Sequence, residues 1–133
     1  MNNRSRKFYN QKIMEYTILL MMLFLLSACA QLTHSDVAKF RKGMSPEEVT
    51  AIAQVQPLFI LNLEEIDAPN QIEVLVFEFS SGGVNTNYLV SFRNQELIFW
   101  GYANEYARSS NVILNKIGQE SVIAIKASNP WEY

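Results

Sequence analysis

The chain has 133 residues, enough for one domain with a modest core, and a formal net charge of −2. This acidic balance argues against nucleic acid as a partner. A single cysteine and a single histidine are too few for a zinc site, and one cysteine cannot form an internal disulfide. No metal and no cofactor are therefore predicted.

The first 28 residues have the three-part layout of an export signal. Residues 1–16 carry four basic side chains against one acid, Glu15. An unbroken apolar run follows at 18–26, and it is too short for a membrane span, which needs about 20 apolar residues. We therefore predict a signal peptide over residues 1–28 that is removed on export.

Leu26-Ser27-Ala28-Cys29 resembles the lipobox of bacterial lipoproteins. The resemblance implies peptidase recognition through Leu26, Ser27 and Ala28, and covalent lipidation of Cys29. Two or three acyl chains anchor a protein stably, at about 0.8 kcal/mol per buried CH₂. Ala30 stands where many inner-membrane lipoproteins have aspartate, which implies the periplasmic face of the outer membrane rather than the inner membrane.

The mature chain that remains has 105 residues, with seven Lys and Arg against twelve Asp and Glu, a formal charge of −5. Such a charge does not attract anionic headgroups, so the lipid must supply the membrane binding. We predict three parts in the mature chain: a lipidated tether over 29–34, one domain over 35–127 and an aromatic tail over 128–133.

Two short helices are predicted at the start of the domain. The first spans 35–42, with Ser35-Asp36 as its cap, and Gly43 permits its end. The second begins at Ser45-Pro46-Glu47-Glu48, which combines an N-cap serine, a proline at the first helical position and a capping-box glutamate. Pro57 is predicted to end this helix.

Alternating apolar residues then predict strands. Residues 71–80 give the clearest signal, and 88–92 and 97–102 follow after short turns, which predicts an antiparallel meander. A further strand around 59–63 is less regular, and residues 111–127 favour a helix over a strand. The predicted fold is therefore α+β, with two short N-terminal helices packed on a three- or four-stranded antiparallel sheet and a C-terminal helix.

The segment Phe40-Arg41-Lys42-Gly43-Met44-Ser45-Pro46-Glu47-Glu48-Val49 resembles the small-protein-A/BamE group of outer-membrane lipoproteins. Domains of that group open with two short helices joined by such a turn and continue into an antiparallel sheet. The resemblance, as a divergent member, implies an accessory or scaffold role in outer-membrane or envelope assembly, with an envelope protein or the assembly complex as partner. The turn specifies fold rather than function through Gly43, Met44, Ser45 and Glu48.

No catalytic residue is predicted. His34-Ser35-Asp36 has the residue types of a hydrolase triad, but a triad brings together side chains from separate places in a fold. Glu64-Glu65 and Asp67 lack the regular spacing of a calcium loop and indicate a solvated acidic edge. We therefore expect a non-enzymatic protein that acts by contact with other proteins.

Aromatic side chains on the predicted strands point to both faces of the sheet. Either residues 104–127 cover the second face, or a partner does, since an exposed apolar patch is typical of a binding surface. A second functional hypothesis is a binder or inhibitor of a periplasmic enzyme, because the arrangement also resembles the repeat unit of β-lactamase-inhibitor proteins. The predicted partner surface comprises Phe99, Trp100, Tyr102, Trp131 and Tyr133.

Overall fold

The chain separates into two units, Met1–Ala30 and Gln31–Tyr133. This computed structural model describes the first unit at residues 14 and 16 and the second unit at residues 31–65 and 68–128. The predicted signal sequence, apart from those two positions, and the lipobox lie outside the described residues. Within the described part, no helix combines the length and the apolar character needed to cross a membrane.

The second unit contains one antiparallel sheet whose four strands follow the order of the chain. This finding confirms the predicted α+β class and shows that the segment around 59–63 is a strand. The elements are α1 (His34–Val37), α2 (Pro46–Ala53), β1 (Phe59–Glu64), β2 (Gln71–Ser81), β3 (Val84–Arg93), β4 (Glu96–Tyr102), α3 (Ala103–Ala107) and α4 (Val112–Ser128).

The two N-terminal helices begin at capping boxes. In α1 the carboxylate of Asp36 accepts a hydrogen bond from the backbone N–H of Thr33 (3.1 Å), so this helix begins earlier and is shorter than the sequence predicts. In α2 the Ser45 hydroxyl accepts from the Glu48 N–H (3.3 Å), and the Glu48 carboxylate accepts from the Ser45 N–H (2.8 Å). Local hydrogen bonding therefore fixes where each helix starts.

Helices pack against both faces of the sheet. The core on the α2 face contains buried side chains from the segment before α1, the turn after α1, helix α2 and the sheet. These are Leu32, Phe40, Val49, Ala53, Leu75, Phe77, Phe79, Tyr88, Val90, Phe92 and Leu97. The α4-face core contains the alternate side chains of the sheet together with residues of α3 and α4: Ile72, Val74, Val76, Leu89, Tyr106 and Ile117. The C-terminal helices therefore cover the second face.

Helix α4 continues through Gly118 without a break. A Cβ atom at this position would lie 2.7 Å from the Ala107 nitrogen and 2.8 Å from the Tyr106 Cβ. Real side chains do not approach so closely, so the glycine permits α3 and α4 to come into direct contact.

Tyr106 fixes α3 to the sheet from within the α4-face core. Its side chain is fully buried, and its hydroxyl lies 2.6 Å from the Ser91 hydroxyl. The carbonyl oxygens of Phe99 (2.9 Å) and Leu89 (3.2 Å) are within reach to accept its proton. Burial raises the pKa of Tyr106 far above its ordinary value of 10 because the core disfavours a phenolate.

Candidate functional site

The predicted tether is bound to the edge of the sheet from residue 31 onward. The Leu32 N–H donates to the Glu78 carbonyl (3.1 Å), and the Ser80 N–H donates to the Leu32 carbonyl (3.2 Å). The Leu32 side chain is fully buried, and the Gln31 side-chain amide donates to the Glu78 carboxylate (3.1 Å). Cys29, where lipidation is predicted, therefore precedes the folded domain by only two residues.

His34 also belongs to this bound segment. Its Nε2 lies 3.1 Å from the Ser81 hydroxyl, and its ring meets the edge of Phe79 at a centroid distance of 4.8 Å. Asp36 is engaged in the α1 cap. In the structure the histidine therefore contacts the end of β2 rather than its sequence neighbours.

In the acidic segment that follows β1, Glu65 is held by a hydrogen bond and an ion pair. The Glu65 carboxylate accepts from the Asn70 side-chain amide (2.8 Å) and lies 3.4 Å from the Arg93 guanidinium. Asp67 lies outside the described residues. Within the described part, no three acidic, histidine or cysteine side chains are placed to hold a metal ion.

The predicted aromatic partner surface is divided between the two faces of the sheet. Phe99 packs against the α4-face core, with its ring 4.8 Å from that of Tyr106. Trp100 and Tyr102 pack against the α2-face core, and all three side chains are partly buried. Trp131 and Tyr133 lie outside the described residues. The three described aromatics therefore do not form one surface.

A groove lies where the β2–β3 hairpin extends beyond the end of β4. Pairing of β3 with β4 ends at Tyr88 and Tyr102, so residues 84–87 have no neighbouring strand on that side within the described part. We call this space, of about 800 Å³, the hairpin groove. It is lined by Ser81, Val84, Thr86, Asn87, Tyr102, Ala103, Asn104, Ala107, Val122, Ile125 and Lys126.

The floor of the hairpin groove is held by polar contacts at the start of α3. The Glu105 carboxylate accepts from the Tyr102 N–H (2.7 Å), which sets the corner between β4 and α3. Burial, together with the negative charge of Glu105, raises the pKa of the neighbouring Tyr88 to about 12. Tyr88 therefore stays protonated even in mildly alkaline solution.

The geometry of the hairpin groove suits an extended peptide. An unpaired strand edge offers backbone donors and acceptors to an added strand, and flanking pockets can take its alternate side chains. Val84 is 68% exposed at this edge, and small side chains of α3 leave room beside it. No local pattern in the sequence indicates this groove, because its lining comes from three separate segments.

Comparisons of the chain with protein-family models, with curated proteins and with solved structures find no match. The resemblance to the BamE group accordingly stays a prediction from the helix-turn motif and the lipobox.

Proposed function

We propose that the mature protein is a non-enzymatic lipoprotein, anchored through Cys29 on the periplasmic face of the outer membrane, that works by protein contact. The lipobox, the short apolar run before it and Ala30 after it support the anchor and its destination. A formal charge of −5 on the mature chain supports attachment through the lipid rather than through basic side chains.

The hairpin groove carries the proposed protein contact. A partner segment in an extended conformation would pair with residues 84–87 and place an apolar side chain between Ala107 and Val122. Backbone pairing would supply affinity, and the apolar lining would select the side chain. This mode of binding needs no catalytic group and suits an accessory or scaffold role in envelope assembly.

The BamE-like arrangement is part of this proposal. It is supported by α1 and α2 on one face of a meander sheet and by the turn between them, where the Gly43 N–H donates to the Leu97 carbonyl (2.9 Å). Gly43 has a positive φ of 86°, which favours glycine. The partner implied by this arrangement is the outer-membrane assembly complex or another envelope protein.

The deciding experiment is in-cell photo-crosslinking of the full-length, lipidated protein, followed by identification of the adducts by mass spectrometry. A photoreactive residue in place of Val84 tests the groove, and the same residue in place of Val112 is the matched control. Both are exposed valines, at 68% and 81%, but Val112 lies outside the groove.

We expect an assembly-complex subunit to crosslink to position 84 and not to position 112. Recovery of a single periplasmic hydrolase at position 84 would support the inhibitor hypothesis instead. Equal labelling from both positions, or none from position 84, would contradict the groove as a contact site. Palmitate labelling that survives in Cys29→Ala would contradict the anchor independently.

A further inference from the structure

The space between the predicted lipid and the folded domain is very short. Gln31 and Leu32 are held on β2, and only Ala30 separates them from Cys29. Two residues of fully extended chain span at most about 7 Å. Whatever surface surrounds Gln31 must therefore lie close to the membrane once Cys29 carries acyl chains.

One exposed apolar segment lies beside Gln31 on the same edge of the sheet. The Leu58 N–H donates to the Val76 carbonyl (2.7 Å), while the Leu32 N–H donates to the Glu78 carbonyl. These two acceptors are two residues apart on β2, about 7 Å along a strand. Leu58 is 57% exposed, and Ile60, the next outward residue, is 51% exposed.

The chain around these two residues carries no charge. Residues 54–63, Gln-Val-Gln-Pro-Leu-Phe-Ile-Leu-Asn-Leu, contain no acidic, basic or histidine side chain in a mature chain of net charge −5. We call this segment the uncharged edge. On this face, Glu47 and Glu73 line the groove beside Ile60. Glu78, the acid beside Gln31, stands between Phe77 and Phe79 on β2 and so points to the opposite face of the sheet, where its carboxylate accepts hydrogen bonds from the side-chain amides of Gln31 and Asn85.

We propose that the uncharged edge is a membrane-contacting surface, on which Leu58 and then Ile60 enter the interface between headgroups and acyl chains. This inference rests on the proposed anchor at Cys29. Apolar burial supplements a lipid anchor without any basic residue, and the uncharged edge avoids repulsion from anionic headgroups. Leu58 is the residue of this edge that lies beside Gln31 and therefore nearest to the proposed anchor. The depth of insertion into the membrane is therefore expected to decrease from Leu58 to Ile60 to Asn62.

Lipidation makes this proposal simple to test, because an acylated Cys29 leaves no other thiol in the mature chain. Leu58→Cys can then be labelled with an environment-sensitive fluorophore in the full lipidated protein, reconstituted into phosphatidylethanolamine–phosphatidylglycerol vesicles. Ile123→Cys is the matched control, an apolar residue of similar exposure, 62%, on the α4 face of the sheet.

We expect a several-fold rise in fluorophore emission at position 58, a smaller rise in a separately labelled Ile60→Cys variant, and no rise at position 123. Nitroxide groups on the lipid acyl chains should quench the signal in the same order. Emission at position 58 that matches position 123 would overturn the proposal. A rise at position 58 that acyl-chain nitroxides do not quench would also overturn it, because a protein or second copy would then cover the edge.

Two controls separate this proposal from the anchor itself. Flotation with vesicles that is lost in the non-acylated mature chain, residues 29–133, alongside a solvated probe at position 58, would leave the anchor intact and reject only the membrane contact. Failure of the native chain to float would reject the anchor. Hydrogen exchange of the unlabelled lipidated protein is expected to be slower at residues 56–60 in vesicles than in the same mature chain, residues 29–133, produced without its signal sequence and without acyl chains, and equal rates would contradict the contact.

Discussion

The α2-face core is made of apolar and aromatic side chains, whereas the α4-face core holds hydroxyl groups at its centre. In the first, the Phe79 and Tyr88 rings stack at 4.9 Å, and Tyr102 meets both of them edge-on. In the second, Tyr106 and Ser91 share hydrogen bonds with strand carbonyls. The two faces of one sheet are therefore closed by different kinds of interaction.

The two faces therefore contribute differently: the α2 face mainly stabilises the fold, whereas the α4 face fixes the position of a helix. Burial of apolar surface is non-directional, so the α2 face can gain stability without fixing each side chain. Hydrogen bonds have strict geometry, so Tyr106 determines where α3 sits on the α4 face. Since α3 and α4 form one wall of the hairpin groove, the polar face sets the shape of the proposed contact site.

The largest expected effect is on the α2 face, in Phe79→Ala. Loss of this buried ring should lower the free energy of unfolding by about 3–5 kcal/mol, because a cavity remains among its aromatic neighbours. Phe59→Ala, at a partly buried position on edge strand β1, is the matched control and should cost less. Urea unfolding measures both, and equal losses would contradict the central role of Phe79.

Gly118→Ala tests the close approach of α3 and α4. Overpacking should cost about 1–3 kcal/mol, and up to about 1 kcal/mol is recovered because alanine favours a helix interior over glycine. Thermal unfolding should therefore show a net loss of stability. Glu120→Ala, exposed on the same helix, should change the stability little, and a stabilised Gly118→Ala would contradict the contact.

Tyr106→Phe removes the central hydroxyl while keeping the ring. We expect a loss of about 1–2 kcal/mol, because a hydrogen-bond donor disappears from a buried site. Combined with Ser91→Ala in a double-mutant cycle, the variant should show a coupling energy above about 0.5 kcal/mol. Additive losses would mean that the two hydroxyls act independently, contrary to their 2.6 Å separation.

The smallest expected effect is the loss of folding stability in mildly alkaline solution. Tyr88 and Tyr106 have pKa values raised above the ordinary 10 in the folded state, so the folded protein keeps protons that the unfolded chain releases. Stability is therefore complete below pH 10 and declines as the pH rises above it. Urea unfolding at pH values on either side of 10 should show this decline, and Tyr106→Phe should reduce it. An unchanged pH dependence in this variant would contradict a buried, protonated Tyr106.

Local patterns predicted much of the framework. Alternation over 71–80 and the Ser45 capping motif are set by near neighbours, so they can be seen in the sequence. The sequence predicts the cap of α1 at Ser35, two residues too late, because Asp36 acts as the third helical residue of a capping box with Thr33 and not with its neighbour Ser35. Helix α3 was missed because its five residues owe their place to Tyr106, whose partners lie 7 to 17 residues away.

The candidate site was less predictable because it depends on tertiary contacts. Period-two alternation places Phe99 and Trp100 on opposite faces, but it does not say which face a C-terminal helix covers. The hairpin groove combines residues of 81–87, 102–107 and 122–126, and no spacing along the chain links these segments. The predicted lipid anchor is the opposite case, since the prediction depends on four adjacent residues, Leu26 to Cys29.

The pairing of Leu32 with Phe79 has a consequence for the order of folding. These residues are 47 positions apart, so Leu32 cannot pair with the sheet until β2 is present. A chain exported from its N-terminus would therefore hold Gln31 and Leu32 unpaired while the next fifty or so residues emerge. Under the proposed lipidation, the enzymes that act on Cys29 would therefore meet a segment that is not yet paired with the sheet.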